Sequence, residues 1–67
     1  MYQRIRDLRE DADLSQRGIA EKLNMHKTTY YNYESGLREP PFNIAINIAK
    51  FHNVSLDYLA GLTNIKK

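Results

Sequence analysis

One short stretch of the chain carries four side chains that could bind a partner through hydrogen bonds. They stand at positions i, i+1, i+4 and i+5 of a predicted helix, a spacing that places them on one face. The four are Lys27, Thr28, Tyr31 and Asn32. They supply one cation, one hydroxyl, one phenol and one amide, which together offer both donors and acceptors. This composition indicates recognition of a polar surface.

A helix with a sharp end is predicted immediately before this stretch. Ser15 is a favoured N-cap residue, and the apolar residues behind it fall on one helical face. These residues are Ile19, Ala20 and Leu23. Asn24 should end the helix, because asparagine tolerates a left-handed backbone better than any residue except glycine.

A second helix begins after that turn, capped by His26 or Thr28 and ending at Gly36. Tyr30 and Tyr33 would point into the core, which leaves the four polar side chains outside. Two short helices joined by a tight turn, with exposed polar groups on the second, are typical of a helix-turn-helix. That motif places its second helix in the DNA major groove.

The chain resembles the phage Cro and lambda-type repressor family, also called the XRE family of helix-turn-helix regulators. The resemblance covers roughly residues 3–62 and rests on the segments SQRGIAEKL, TTYYNYESGLREP and NVSLDYLAG. Its most specific parts are Ser15-Gln16, Ala20, Glu34-x-Gly36 and Arg38-Glu39-Pro40. The resemblance implies an all-α, compact five-helix repressor-type DNA-binding domain with a central helix-turn-helix.

In the family, the start of the second motif helix reads base edges, which corresponds to Lys27 and Thr28. Lysine suits guanine O6 and N7, and threonine can bond to a base or pack on a thymine methyl. Asn32 could contact adenine if the helix enters the groove deeply enough. Tyr31 could stand against a phosphate or sugar, or simply cover the helix surface. The alternative for Lys27 and Thr28 is a solvated helix end.

Phosphate contacts are predicted on either side of this helix. Family members use a glutamine at the Gln16 position to touch the DNA backbone and brace the second motif helix; the alternative is an ordinary exposed glutamine. Arg38, in the following loop, is placed to meet phosphates, unless it only pairs with Glu39. Many relatives have a basic residue where this chain has Leu37, so one phosphate contact is expected to be missing.

The resemblance also implies an ion pair between Arg9 of the first helix and Glu34 of the second motif helix. Arg9 lies among apolar positions, and an unpaired buried charge costs several kcal/mol. The alternative is that the Arg9 stem packs on the surface while its head stays in water.

The remaining helices surround the motif. The first is predicted over Tyr2 to Asp13, and the fourth begins near Phe42 after a Pro-Pro pair. Ser55 would cap the fifth, which ends at Gly61. The apolar stripe of the first helix includes Ala12. The predicted core consists of Ile5, Leu8, Ile19, Leu23, Tyr30, Phe42, Ile48, Val54 and Leu59.

His52 is the odd member of the fourth helix's apolar stripe. Either the stripe ends one residue early, or the imidazole bonds to a backbone carbonyl at the edge of the core. Asn53 should supply the left-handed stop after it.

Composition limits the other possibilities. The 67 residues allow one domain, predicted over residues 1–62 with a short tail at 63–67, and no cysteine is present. With only two histidines, a metal cluster is not expected, and neither a cofactor nor a small-molecule ligand is evident. No run approaches the roughly 18 apolar residues of a membrane helix, and the N-terminus is charged, so we expect a cytoplasmic protein without membrane contact. No paired carboxylates or activated serine suggest an enzyme.

The sequence therefore predicts a DNA-binding transcriptional regulator, a repressor of bacterial or phage type. It would bind double-stranded DNA at a near-palindromic operator as a homodimer, using Leu62 and Ile65 near the last helix as the interface. The rival hypothesis is a protein-interaction module that has lost DNA contact, which the modest net charge of +2 favours. A basic rim beside the second motif helix would support DNA, and acidic residues there would support the rival. The rim would be formed by Lys27, Arg38, Arg17 and either Arg4 or Arg6.

Overall fold

The structure is a computed structural model that describes residues 4–66, and five α-helices lie in that range. They are α1 (Ile5–Asp11), α2 (Gln16–Lys22), α3 (Lys27–Ser35), α4 (Phe42–Phe51) and α5 (Leu56–Leu59). None of residues 4–66 is in a β-strand. The predicted all-α, five-helix fold is confirmed. The predicted start of the first helix at Tyr2 lies outside the described residues.

Two serines begin helices as predicted. Ser15 Oγ accepts a hydrogen bond from the Gly18 backbone N–H at 2.9 Å, and Ser55 Oγ accepts one from Tyr58 N–H at 3.0 Å. α3 begins after His26, whose backbone is extended and whose side chain makes no capping hydrogen bond. Of the two predicted cap positions, the chain therefore uses His26.

Every one of these helices is followed by a residue with a left-handed backbone, which cannot continue a right-handed helix. The φ angles are 57° at Asp13, 58° at Asn24, 85° at Gly36, 57° at Asn53 and 80° at Gly61. The predicted stops at the two asparagines and two glycines are confirmed. The predicted extent of the first helix to Asp13 is wrong, because Asp13 itself turns left-handed and α1 ends at Asp11.

The core gathers residues from all five helices. Its buried members are Ile5, Leu8, Ile19, Ala20, Tyr30, Ala45, Ile48, Ala49 and Leu59. Leu23 and Val54, also predicted for the core, are partly buried and pack against its edge. The small side chain of Ala20 is 1% exposed, which lets other elements approach α2 closely.

One residue predicted for the core, Phe42, and one residue of a predicted apolar stripe, Ala12, are exposed. Phe42 is 65% exposed although it shares a helical face with Ala45 and Ala49. It is the first residue of α4, where a side chain points back toward the N-terminus and so projects past the end of the bundle. Ala12 is exposed because α1 ends before it.

His52 is the C-cap of α4 and is half-buried. Its ring meets Phe51 edge-on, with centroids 5.0 Å apart and planes at 84°. The Nε2 atom is buried and has no hydrogen-bond partner among the described residues, so the carbonyl bond predicted for the imidazole is not made through this nitrogen. Burial lowers the pKa of His52, because the protonated form would lose its hydration.

The segment after α5 folds back on the bundle. The Leu62 N–H donates to the Asp57 carbonyl at 2.9 Å, and the Lys66 carbonyl accepts from Ser55 N–H at 2.6 Å. Arg4 Nη2 donates to Asn64 Oδ1 at 2.7 Å. These bonds hold the described part of the tail in place.

No helix within residues 4–66 is long and apolar enough to cross a membrane. In the same range, no group of three or more potential metal ligands comes together.

Candidate nucleic-acid interface

Packing decides which face of α3 is free. Tyr30 is completely buried, and Tyr33 packs partly buried against the core. On the opposite side, Lys27 and Thr28 are exposed and Tyr31 is 46% exposed. Asn32 belongs to this side but is half-buried. The outward face of α3 thus presents its first turn more fully than its second.

The turn between α2 and α3 fixes the angle at which the outward face is displayed. Asn24 adopts the left-handed conformation, and the Met25 N–H donates to the Ala20 carbonyl at 2.9 Å. This bond closes the C-terminal end of α2, as expected when a helix is followed by a left-handed residue. Met25 is partly buried against the core and directs the chain into α3.

The far end of α3 is held by a cluster of three side chains, which we call the Glu34 cluster: Arg9, Gln16 and Glu34. Arg9 Nε and Nη2 donate to the two Glu34 carboxylate oxygens at 2.7 and 3.3 Å. Gln16 Nε2 donates to Glu34 Oε2 at 2.9 Å, and Arg9 Nη1 donates to the Leu14 carbonyl at 2.8 Å. The cluster therefore ties α1 and α2 to the last turn of α3.

The cluster is largely shielded from water, since the side chains of Arg9 and Glu34 are 14% and 6% exposed. Burial alone would raise the pKa of the Glu34 carboxyl, but hydrogen bonds from Arg9 and Gln16 outweigh it and hold the pKa below its ordinary value. The hydrogen bond to Glu34 raises the pKa of Arg9. Both groups are therefore charged at neutral pH.

The Tyr30 hydroxyl is buried beside this cluster. It lies near enough to Glu34 for burial and the carboxylate together to raise the pKa of the phenol far above its ordinary value. It has no hydrogen bond of acceptable geometry to any described residue. The hydroxyl thus stays neutral.

A cleft of about 300 Å³ opens between α1, α2 and α3, next to the outward face. It is lined by Arg6, Arg9, Gln16, Tyr31, Glu34 and Ser35. The positive charge of Arg9 offsets the negative charge of Glu34, so the buried carboxylate does not give the cleft a net negative charge.

Comparison with known proteins bears on this arrangement. A family profile described as "Helix-turn-helix" matches residues 5–59, which is most of the chain. The chain belongs to the XRE-type helix-turn-helix family. The predicted family is therefore confirmed.

Several curated proteins are similar to this XRE-type chain. The uncharacterized HTH-type transcriptional regulator YobD of Bacillus subtilis is 38% identical over 65 residues, which are 96% of this chain and 58% of that protein. The HTH-type transcriptional regulator ImmR of the same species is 34% identical over 64 residues, or 96% and 50% of the two chains. The cryptic phage CTXphi transcriptional repressor RstR of Vibrio cholerae is 38% identical over 58 residues, or 87% and 52%.

The XRE-type chain spans about half the length of these curated relatives. No solved structure matches it.

The loop after α3 in this XRE-type chain carries two further residues of interest. The Arg38 backbone N–H donates to the Asn32 carbonyl at 3.1 Å, which fixes the start of the loop, and the Arg38 side chain is exposed. Leu37 is 70% exposed. On the other side of the motif, Arg17 is exposed in the first turn of α2.

The sequence left Arg4 and Arg6 as alternative members of the basic rim, and the structure places them in different surroundings. The Arg4 guanidinium lies over the Tyr58 ring, 4.0 Å from its centroid, and bonds to the tail. Arg6 lines the cleft beside Tyr31. Sequence reasoning did not single out Arg6, although its i,i+3 spacing from Arg9 already places the two on one side of α1.

The environment of Gln16 is not that of an ordinary exposed glutamine. Gln16 is half-buried and bonded to Glu34, so the alternative of an ordinary exposed glutamine is wrong. Its bond braces α3, and Gln16 also helps to line the cleft, with one amide N–H and its oxygen not used in the bond to Glu34.

Proposed function

We propose that this chain is a sequence-specific, double-stranded DNA-binding transcriptional regulator that acts as a repressor. The observation that carries the proposal is the outward face of α3, where Lys27, Thr28 and Tyr31 are exposed on a helix fixed at both ends. Its membership of the XRE-type family and the regulators and phage repressor among its relatives support the same function. The protein would act in the cytoplasm of a bacterium, encoded by the host or by a phage.

Sequence specificity would come from the first turn of α3. Lys27 can donate to guanine O6 and N7, and Thr28 can bond to a base or contact a thymine methyl. Asn32, being half-buried, would reach a base only where the helix lies deep in the groove. Gln16, Arg17 and Arg38 would position the domain through phosphates, and these contacts carry little sequence information.

One domain of this size would cover only a half-site, so useful specificity would require two copies on a near-palindromic operator, with recognition helices about 34 Å apart. Leu62 and Ile65 are 78% and 69% exposed, yet the segment carrying them is held by backbone hydrogen bonds to α5 and its cap. Because the backbone of this segment is already held, forming a small two-fold interface through Leu62 and Ile65 would cost less conformational entropy than ordering a free tail.

Other classes of function have less support. Neither histidine has a positioned partner for acid-base chemistry in residues 4–66, and we propose that the chain is not an enzyme. A protein-interaction module would fit an acidic surface beside α3. Glu34, in the last turn of α3, is instead neutralised by Arg9, and the side chains of Lys27, Arg17 and Arg38 are exposed.

Selection of bound sequences from a random duplex library would test the proposal. Lys27→Ala should then weaken binding to the selected site by about 1–3 kcal/mol and relax the preference at one base position. Arg38→Ala should weaken binding to all sequences alike and lower the salt slope by about one unit. Lys50→Ala is the matched control, since Lys50 is an exposed lysine in the last turn of α4. Absence of any enriched sequence would refute the proposed function.

Sedimentation at increasing concentration would test the dimer. We expect the intact chain to self-associate weakly and a Leu62→Ser, Ile65→Ser variant to remain monomeric. The same variant should lose cooperativity on a palindromic site. If both proteins are monomeric and bind that site with equal cooperativity, the tail is not the interface.

A further inference from the structure

The cleft between α1, α2 and α3 contains a charged side chain to which sequence reasoning gave no specific role. Arg6 lies there with Gln16, Tyr31 and Ser35, and together they offer a guanidinium, an amide and two hydroxyls. These are the groups that bind phosphate oxygens in DNA complexes. Tyr31 belongs both to this cleft and to the outward face of α3, so a duplex lying on that face would extend directly over the cleft.

Arg6 is not committed to its partner within the protein. Its Nε donates to Glu10 Oε2 at 3.2 Å, but the two side chains are 67% and 50% exposed. A pair so open to water contributes little to stability, and either side chain can leave it at small cost. By contrast, Arg9 is engaged by Glu34 and the Leu14 carbonyl and is largely buried. Of the two arginines in the cleft, Arg6 is the one that can move to a ligand.

We propose that this cleft seats one backbone phosphate of the bound DNA, and that Arg6 exchanges the Glu10 carboxylate for that phosphate. Tyr31 and Ser35 hydroxyls and the second N–H of Gln16 complete the site. The inference rests on the proposed function and adds a phosphate contact from α1, outside the helix-turn-helix. The contact would add to the phosphate contacts proposed for Gln16, Arg17 and Arg38.

Three variants test the exchange. Arg6→Gln should weaken binding roughly tenfold on specific and random duplexes alike, because one charge-assisted bond is lost. Its salt slope should fall by about 0.9. Glu10→Gln should tighten binding several-fold, since the competing carboxylate loses its charge. Lys50→Gln removes an exposed cation from α4 and should change the affinity little. Circular dichroism would establish that each variant is folded.

A scan with single methylphosphonate substitutions, which remove one backbone charge at a time, locates the contact. The wild-type protein should lose affinity at several positions. Arg6→Gln should become insensitive at one of them and retain the others, and Lys50→Gln should keep the complete wild-type pattern.

The outcomes separate this inference from the function on which it rests. If the wild-type chain binds a selected duplex but Arg6→Gln keeps both the full methylphosphonate pattern and the salt slope, the phosphate site is refuted while DNA binding stands. Glu10→Gln that binds more weakly would likewise contradict the exchange. If the wild-type chain binds no duplex, both the inference and the proposed function are refuted.

Discussion

The Glu34 cluster offers the sharpest test of how α3 is held. Changing Glu34 to alanine leaves the Arg9 guanidinium, 14% exposed, without its hydrogen-bonded carboxylate; only the Leu14 carbonyl and the half-exposed Glu10 carboxylate, 3.8 Å from Nη2, remain near it. Changing Arg9 to alanine leaves the Glu34 carboxylate, 6% exposed, with only the Gln16 bond and removes the donor to the Leu14 carbonyl. Each change should lower the free energy of unfolding by about 3–5 kcal/mol, because a buried charge loses its partner.

The double variant should lose about 2–3 kcal/mol less free energy of unfolding than the two single variants lose together. It removes both charges together, so neither is left orphaned. The double variant should still be less stable than the wild type, since the Leu14 carbonyl and the Gln16 amide lose their hydrogen bonds.

Urea unfolding followed by circular dichroism measures all four proteins. A 67-residue domain is expected to have only about 3–5 kcal/mol of net stability, so the series needs added sodium sulfate to keep the single variants folded. The Arg6 and Glu10 pair on α1 is the comparison. Both side chains are largely exposed, and although Glu10 also lies 3.8 Å from Arg9 Nη2, its coupling to Arg6 should stay below about 1 kcal/mol. Additivity of the Arg9 and Glu34 changes to within about 0.5 kcal/mol would refute the account of the cluster.

Three further predictions concern stability. Glu34 has a lowered pKa in the folded state, so its contribution to the free energy of unfolding is fully present above about pH 4.3 and is lost as the pH falls through the folded pKa. Urea unfolding of Glu34→Gln should therefore show a smaller loss of stability in acid. A pH profile identical to that of the wild type would contradict this prediction. His52 also has a lowered pKa in the folded state, so the unfolded chain binds the proton first and the free energy of unfolding should fall as the pH drops below about 6.5. Melting temperatures measured against pH should lose this fall in His52→Leu. If the variant retains the fall, another group causes it. Tyr30→Phe removes a buried hydroxyl that has no hydrogen bond, so it should be neutral or stabilise by about 1 kcal/mol, whereas a loss above about 1 kcal/mol would mean that the hydroxyl is bonded.

Local chemistry in the sequence determined where the helices begin and end. Ser15 and Ser55 cap their helices because a hydroxyl reaches a backbone N–H three residues later, within one turn. Asn24 and Asn53 stop theirs because few residue types tolerate a positive φ. These effects act over a few residues and need no knowledge of the rest of the fold.

The same local rules also gave the composition of the outward face of α3, since helical spacing alone separates the buried Tyr30 from the exposed Tyr31. They failed for Phe42, which has the correct spacing for burial but stands at the end of its helix. A periodic pattern gives the direction of a side chain around the helix and not its position relative to the ends of the neighbouring helices.

Only the tertiary structure decided the geometry of the candidate site. The cleft exists because α1, α2 and α3 converge, and this convergence brings Arg6 beside Tyr31 while Arg4 stacks on Tyr58 in another part of the molecule. Arg4 is the N-cap residue of α1 and Arg6 stands in its first turn, two residues later. The spacing of Arg6 from Arg9 indicates only the side of α1 on which Arg6 lies, and not what it meets there. Their roles depend on contacts with segments distant in the chain, and those contacts arise only once the helices have packed.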